Sequence, residues 1–217
     1  MKHRSVQPEL LETLPDDHPD AIKGRQDLLL VNWVMGNHRW MIRTLRRHIE
    51  PGWRITEIGA GDGSLSRRLL KEGLCQPEDL HGFDLAVRQV NWPKRAQWIQ
   101  GDLFEHALPA SEVLIANLIL HHFTDAQLRR LASRIPQQTR LILASEPARH
   151  WSPSFFGRLL CSAARFHPIT RHDMQISIRA GFRGSELVEA LDLGSDWSCT
   201  HSASLAGAYH MIAVRRA

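Results

Sequence analysis

Cysteine is scarce in this 217-residue sequence: Cys75, Cys161 and Cys199 are odd in number and share no C-x-x-C spacing. That suggests neither a disulfide framework nor a zinc site, and a reducing, cytoplasmic setting is expected. Long apolar runs are also missing, since none approaches the ~20 residues that cross a bilayer and the first residues contain no apolar core of a secretory signal. No segment repeats and no tract is of low complexity. A clustered basic stripe is absent too. The net charge of +4 comes mostly from arginines spread along the chain, with the pairs Arg67-Arg68, Arg129-Arg130 and Arg215-Arg216 in stretches predicted to be regular. Scattered charge of this kind is a solvated face, so a nucleic-acid partner is permitted but not called for. The 43% of hydrophobic residues suffices for one well-buried domain over 1–217.

The chain is organised around residues 53–69. A short apolar run ending at Ile58 meets Gly59, Gly61 and Gly63, and then becomes a helical pattern with Leu65, Leu69 and Leu70 on one face. Strand, tight loop and helix follow one another here. Alternating glycines let the backbone turn sharply and let a ligand lie against main chain, while the helix N-terminus offers free N–H groups. Two nucleotide patterns are absent, however. The dinucleotide fingerprint G-x-G-x-x-G fails because its third glycine comes one residue early, at Gly63, with Ser64 in its place, and no phosphate loop with Gly-Lys-Ser/Thr occurs. What stands there, Glu57-Ile58-Gly59-Ala60-Gly61-Asp62-Gly63, resembles the first motif of the class I S-adenosylmethionine-dependent methyltransferases.

That resemblance implies an α/β, Rossmann-like three-layer sandwich, with a seven-stranded, mostly parallel sheet whose last strand is antiparallel, plus an N-terminal helical extension. It also implies S-adenosylmethionine as methyl donor and S-adenosylhomocysteine as product. The strand ends agree with it in order. A second strand over 79–85 ends on Asp84 and Leu85, where an acid can accept two hydrogen bonds from a ribose diol; alone, Asp84 reads equally as a capping residue. A third, over 96–100, runs into Asp102 and Leu103, which match the family's acid for the adenine amine and the backbone N–H for its ring. The fourth, over 112–118, is a continuous apolar run that closes on Asn117 and Leu118, also expected at the cofactor, followed by His121, His122 and Phe123. A fifth, over 140–145, ends at Glu146.

Around this core, 51–148, three further parts are expected. Residues 1–50 form a helical lid: a short helix over 5–14 capped by Ser5, a turn over 15–20, and a longer helix with Leu29, Trp33, Ile42, Leu45 and Ile49 on its apolar side, broken at Gly36. Asn37 and His38 at that break either face ligand or form a polar interruption in a packing helix. Residues 149–195 are a helical acceptor-side insertion, with one helix from Ser152 and Pro153 and another started by Thr170 and Asp173. Here Trp151, Phe155, Phe156, Phe166 and Phe182 either wall a pocket or are ordinary core, and His172 is a candidate substrate contact beside the weaker His150 and His167. Residues 196–217 are a closing strand pair.

Methyl transfer by in-line displacement needs neither a covalent enzyme intermediate nor a metal. The sequence lacks the Asn/Asp-Pro-Pro-aromatic motif of base-modifying enzymes after the fourth strand, and histidines stand there instead. A small-molecule acceptor with a hydroxyl, phenolic or polyketide-like, is therefore expected. An RNA or protein methyltransferase and a non-catalytic cofactor-binding protein remain alternatives. His121 or His122 is the candidate general base, largely neutral near pH 7 with an ordinary pKa of about 6.5, and Glu146 orients it; the pair reads equally as packing at a strand end.

Overall fold

The computed structural model describes residues 3–15, 18–149 and 166–216. Seven strands form one sheet: β1 (Ile55–Ile58), β2 (Leu80–Asp84), β3 (Gln97–Gln100), β4 (Val113–Asn117), β5 (Leu141–Pro147), β6 (Trp197–Ala203) and β7 (Ala208–Arg215). Their order is β3-β2-β1-β4-β5-β7-β6. The first five are parallel, and β7 runs antiparallel to both β5 and β6. The order reverses between β1 and β4, which opens a crevice beyond their carboxyl ends.

Strict alternation builds the layers. Val113, Ile115, Leu141 and Leu143 point to one side of the sheet with Met41, Leu45, Leu65 and Leu69. Leu114, Ala116, Ile142 and Ala144 point to the other with Leu128, Leu131, Leu187 and Leu191. Helices α3 (Asn37–His48) and α4 (Ser64–Lys71) thus cover the first face, and α5 (Asp125–Ala132) and α7 (Glu186–Leu191) the second. Both faces are dry, which is why the central strands read as unbroken apolar runs. The expected strand β5 is longer than 140–145, because β7 keeps pairing through Glu146↔Tyr209 and Pro147↔Ala208.

The N-terminal part differs most from expectation. Only α1 (Leu10–Thr13) is helical in the first stretch, and Ser5 is not its cap: the Ser5 N–H donates to the Arg179 carbonyl, while the Asp173 carboxylate accepts from the backbone N–H groups of Leu10 and Leu11. Helix α2 (Pro19–Met35) begins at Pro19 and stops at Gly36, whose φ of 72° closes it. Leu29 and Trp33, expected on a buried side, are 46% and 71% exposed, whereas Ile42 and Leu45 on α3 are buried.

In the acceptor-side segment, α6 (Pro168–Ala180) starts with Pro168 in its first turn and His167 before it, so Thr170 and Asp173 lie inside the helix instead of starting it. Their polar atoms go to other elements: the Thr170 hydroxyl donates to Asp27 on α2, and Asp173 caps α1. Phe166 and Phe182 are buried core. His150, Trp151, the helix expected from Ser152 and Pro153, Phe155, Phe156 and Cys161 lie outside the described residues. No described helix is long and apolar enough to cross a membrane.

Candidate active site

The glycine loop after β1 is tied to its neighbours by main chain. The Gly59 N–H donates to the Phe83 carbonyl at 2.8 Å, and Gly59 turns back with φ of 65°. A Cβ there would sit 2.8 Å from the Ile119 side chain, so glycine permits the loop after β4 to close against it. The Gly61 N–H donates to Asp84 Oδ2 at 2.8 Å, and Asp84 Oδ1 accepts from the Ala86 N–H at 2.9 Å. Each carboxylate oxygen keeps a lone pair for another donor. Asp62 folds over the start of α4, accepting from the Ser64 N–H at 3.0 Å.

Beneath the loop, Glu57 is only 3% exposed and accepts a hydrogen bond from the Ser66 hydroxyl. Burial pushes its pKa up to about 8, and the neighbouring charges of Asp62 and Asp84 add to this against the Ser66 hydrogen bond.

The loop opens into a cavity of about 890 Å³. Glu57, Gly59 to Asp62, Asp84, Asn117, Leu118, His121 and His122 line one side; Leu28, Val31 and Met35 from α2 and Ile169, Met174 and Ile178 from α6 line the other. The turn between β6 and β7 contributes Leu205 to Gly207. Leu118 enters the left-handed region with φ of 56°, its N–H held by the Ser145 carbonyl at 2.8 Å. Such a conformation in a non-glycine residue costs about 1–3 kcal/mol and gathers at functional sites.

Gly63, Leu85, Asp102 and Leu103 do not line the cavity; Asp102 accepts from the Phe104 N–H at 2.7 Å and shapes the turn after β3. Asn37 is buried and donates to Asn32 Oδ1 at 3.1 Å, the same oxygen that receives Asn117 Nδ2 at 3.0 Å. His38 does line the cavity, and burial, helped by the Arg68 charge, pulls its pKa down to about 4. His172 sits beside Asp173, with Nδ1 3.1 Å from Oδ1, away from the cavity wall.

The loop after β4 carries a buried charge cluster. Glu146 on β5 accepts backbone N–H groups from Ile119, Leu120 and His121 at 3.1, 2.9 and 3.3 Å, which moulds that loop around the carboxylate. It also accepts from His121 Nδ1 at 2.7 Å. Across the ring, His121 Nε2 lies 3.6 Å from Oε1 of Glu9, just before α1, and Glu9 in turn accepts from the Ser177 hydroxyl. Burial alone lowers the His121 pKa, but the two carboxylates outweigh it and push the value up to about 9. The two carboxylates thus favour the protonated form of His121 over the neutral imidazole expected from the ordinary value. His122 lies alongside, ring centroids 4.1 Å apart, and faces the cavity. Glu9, Asn32 and Ser177 escape sequence reading because nothing local distinguishes them: each is one polar residue in a helical or extended stretch, brought to the site by tertiary contacts.

No protein-family model and no curated protein matches this sequence. Solved structures do resemble it. The plantazolicin methyltransferase BpumL, in complex with a triazolic desmethylPZN analog and SAH, superposes with a TM-score of 0.70 at 12% identity, over 95% of this chain and 93% of that one. The pyocyanin biosynthetic protein PhzM gives 0.59 at 17% over 94% and 60%. Human N-acetylserotonin methyltransferase in complex with SAM gives 0.52 at 16% over 94% and 61%. At these identities the likeness is one of backbone architecture, and with the strand order and the glycine loop it establishes that this chain has the fold of the class I S-adenosylmethionine-dependent methyltransferases.

Proposed function

We propose that this protein transfers a methyl group from S-adenosylmethionine to a hydroxyl of a small molecule held in the cavity. The observation that carries the reading is the meeting, at the β1/β4 reversal, of the glycine loop, Asp84 and a large, mostly apolar cavity. The structures of BpumL and of human N-acetylserotonin methyltransferase hold SAH and SAM, respectively, which supports the same cofactor here. In this reading 51–148 binds cofactor, 1–50 forms the lid, 149–195 forms the acceptor side, and 196–217 closes the sheet.

The cofactor supplies a methyl group on a sulfonium, open to in-line displacement by an acceptor lone pair. Gly59, Ala60, Gly61, Asp62 and Gly63 give it main chain to lie on, Asp84 and Leu85 take the ribose, Asp102 and Leu103 the adenine, and Asn117 and Leu118 flank the reacting end. Glu57 supports the loop from below. On the acceptor side, His38 with Glu9, His121 and His122 makes a polar floor, and Glu146 holds His121 in place; Asn37 acts through Asn32, and Phe155, Phe156 and His172 are read as acceptor contacts. Alignment of acceptor and methyl group supplies up to roughly 7–11 kcal/mol, more than the 10²- to 10⁴-fold of a general base. The site is therefore read as a positioning device first.

Calorimetry with S-adenosylhomocysteine tests this. Asp84→Ala should weaken binding at least tenfold, about 1.4 kcal/mol, because a charged acceptor is lost. Unchanged affinity in a folded variant, or NAD binding in its place, would overturn the assignment.

A further inference from the structure

The polar floor of the cavity has the composition and geometry of a cation site. Glu9, His121 and His122 each present one ligand atom, and these atoms lie within 4.8 Å of one another. All three residues line the cavity. The 3.6 Å between His121 Nε2 and Glu9 Oε1 is long for a charge-assisted hydrogen bond. It is close to the edge of a coordination tetrahedron, about 3.4 Å for ligand bonds near 2.1 Å. Behind the ring, Glu146 lies 2.7 Å from Nδ1; with the Nδ1–H donated to it, Nε2, on the side of Glu9, is the nitrogen that would coordinate. Carboxylate behind histidine behind ion is the usual arrangement of a metal-binding imidazole.

Glu9 and Glu146 bring two carboxylates to the one buried imidazole of His121. Ser177, which donates to Glu9, and the three backbone N–H groups on Glu146 hold both carboxylates in place. Two imidazoles and one carboxylate suit a first-row transition ion, and three protein ligands leave a position open.

The geometry points to a divalent first-row transition cation of the zinc type, bound by Glu9, His121 and His122, with its open position toward the cavity for an oxygen donor of the acceptor. The acceptor role rests on the methyl-transfer reading; the cation site itself does not. A hydroxyl or a pair of neighbouring oxygens is the substrate chemistry that such a site selects.

Co²⁺ serves as the probe, titrated into the full-length, chelator-treated protein and followed by visible absorption and calorimetry. One saturable equivalent is expected, without the intense thiolate charge-transfer bands that Cys75 or Cys199 would give. Glu9→Gln and His122→Phe, both folded by circular dichroism, should each weaken Co²⁺ binding at least tenfold, with Zn²⁺ competing in the wild type. Failure of the wild type to bind either ion, or equal affinity in both variants, overturns the site. S-adenosylhomocysteine affinity measured alongside separates the two readings: if it binds while the metals do not, only the cation site falls.

Discussion

Glu57 is a carboxyl taken out of water under the glycine loop, with the Ser66 hydroxyl as its donor. Its pKa of about 8 in the folded chain stands against 4.5 as the ordinary value, so between these values the native state holds a proton that the unfolded chain has released. Its contribution to stability is therefore full below pH 4.5 and is lost as pH rises through 8. Glu57→Gln, which keeps the shape and removes the titration, should show a smaller fall in Tm than wild type between pH 6 and 9. Identical slopes would show that Glu57 is ionised in the native state. His210 works in the opposite sense. Its ring stacks on Trp40 at 4.1 Å and 5°, its Nε2 has no hydrogen-bond partner among the described residues, and burial, with the Arg43 charge, holds its pKa down to about 4. The unfolded chain takes up a proton near 6.5 that the native state refuses, so stability present above 6.5 is lost as pH falls through 4. His210→Phe should retain the stack and flatten the acid side of a Tm-against-pH curve; an unaltered acid limb would sink this account.

At the scale of elements, two attachments stand out. Helix α5 opens with a reciprocal capping box, in which Thr124 accepts from the Gln127 N–H and Gln127 accepts from the Thr124 N–H. Thr124→Ala should cost about 1 kcal/mol in urea unfolding without touching cofactor affinity. The N-terminal segment is pinned by Arg4, whose guanidinium donates to the Ala180 carbonyl at 2.7 Å and to Asp125 at 2.9 Å and lies 4.4 Å over the Phe182 ring. This clamp sets where Glu9 enters the cavity. Arg4→Ala should lower methyl transfer several-fold while leaving S-adenosylhomocysteine affinity within about threefold, since the glycine loop is anchored elsewhere. A parallel loss of both would mean that the segment supports the whole site. The apolar residues of α2 divide between the cavity wall, where Leu29 stands half exposed, and open solvent, where Trp33 stands, so its sequence has no single buried stripe.

For the whole molecule, one sheet ties the parts together, with β4 at its centre between β1 and β5 and the C-terminal β7 filling the gap between β5 and β6. A ligand at the strand ends thus touches segments from every third of the chain. S-adenosylhomocysteine at a hundredfold over its dissociation constant should add about 2.7 kcal/mol and shift a single calorimetric transition upward. Two separable transitions would mean that the N-terminal helices melt independently of the sheet.

The sequence by itself determined the features governed by short-range rules. The strand-loop-helix at Glu57 to Gly63, the acid at the end of β2 and the apolar runs of β4 and β5 all follow from periodicity, glycine placement and local hydrogen bonding. Such rules act over a few residues and survive any packing that buries both faces of a parallel sheet. Only the tertiary structure decided the partners of isolated polar residues. It brings Glu9 to His121, gives Asp173 to the start of α1 and Thr170 to Asp27, and turns the Asn37 amide to Asn32. It also raised the His121 pKa, because a histidine's pKa depends on which carboxylates reach it, and these come from β5 and from the segment before α1. A side chain's chemistry is written in its type, but its charge state and its ligands depend on surfaces that meet only when distant segments pack.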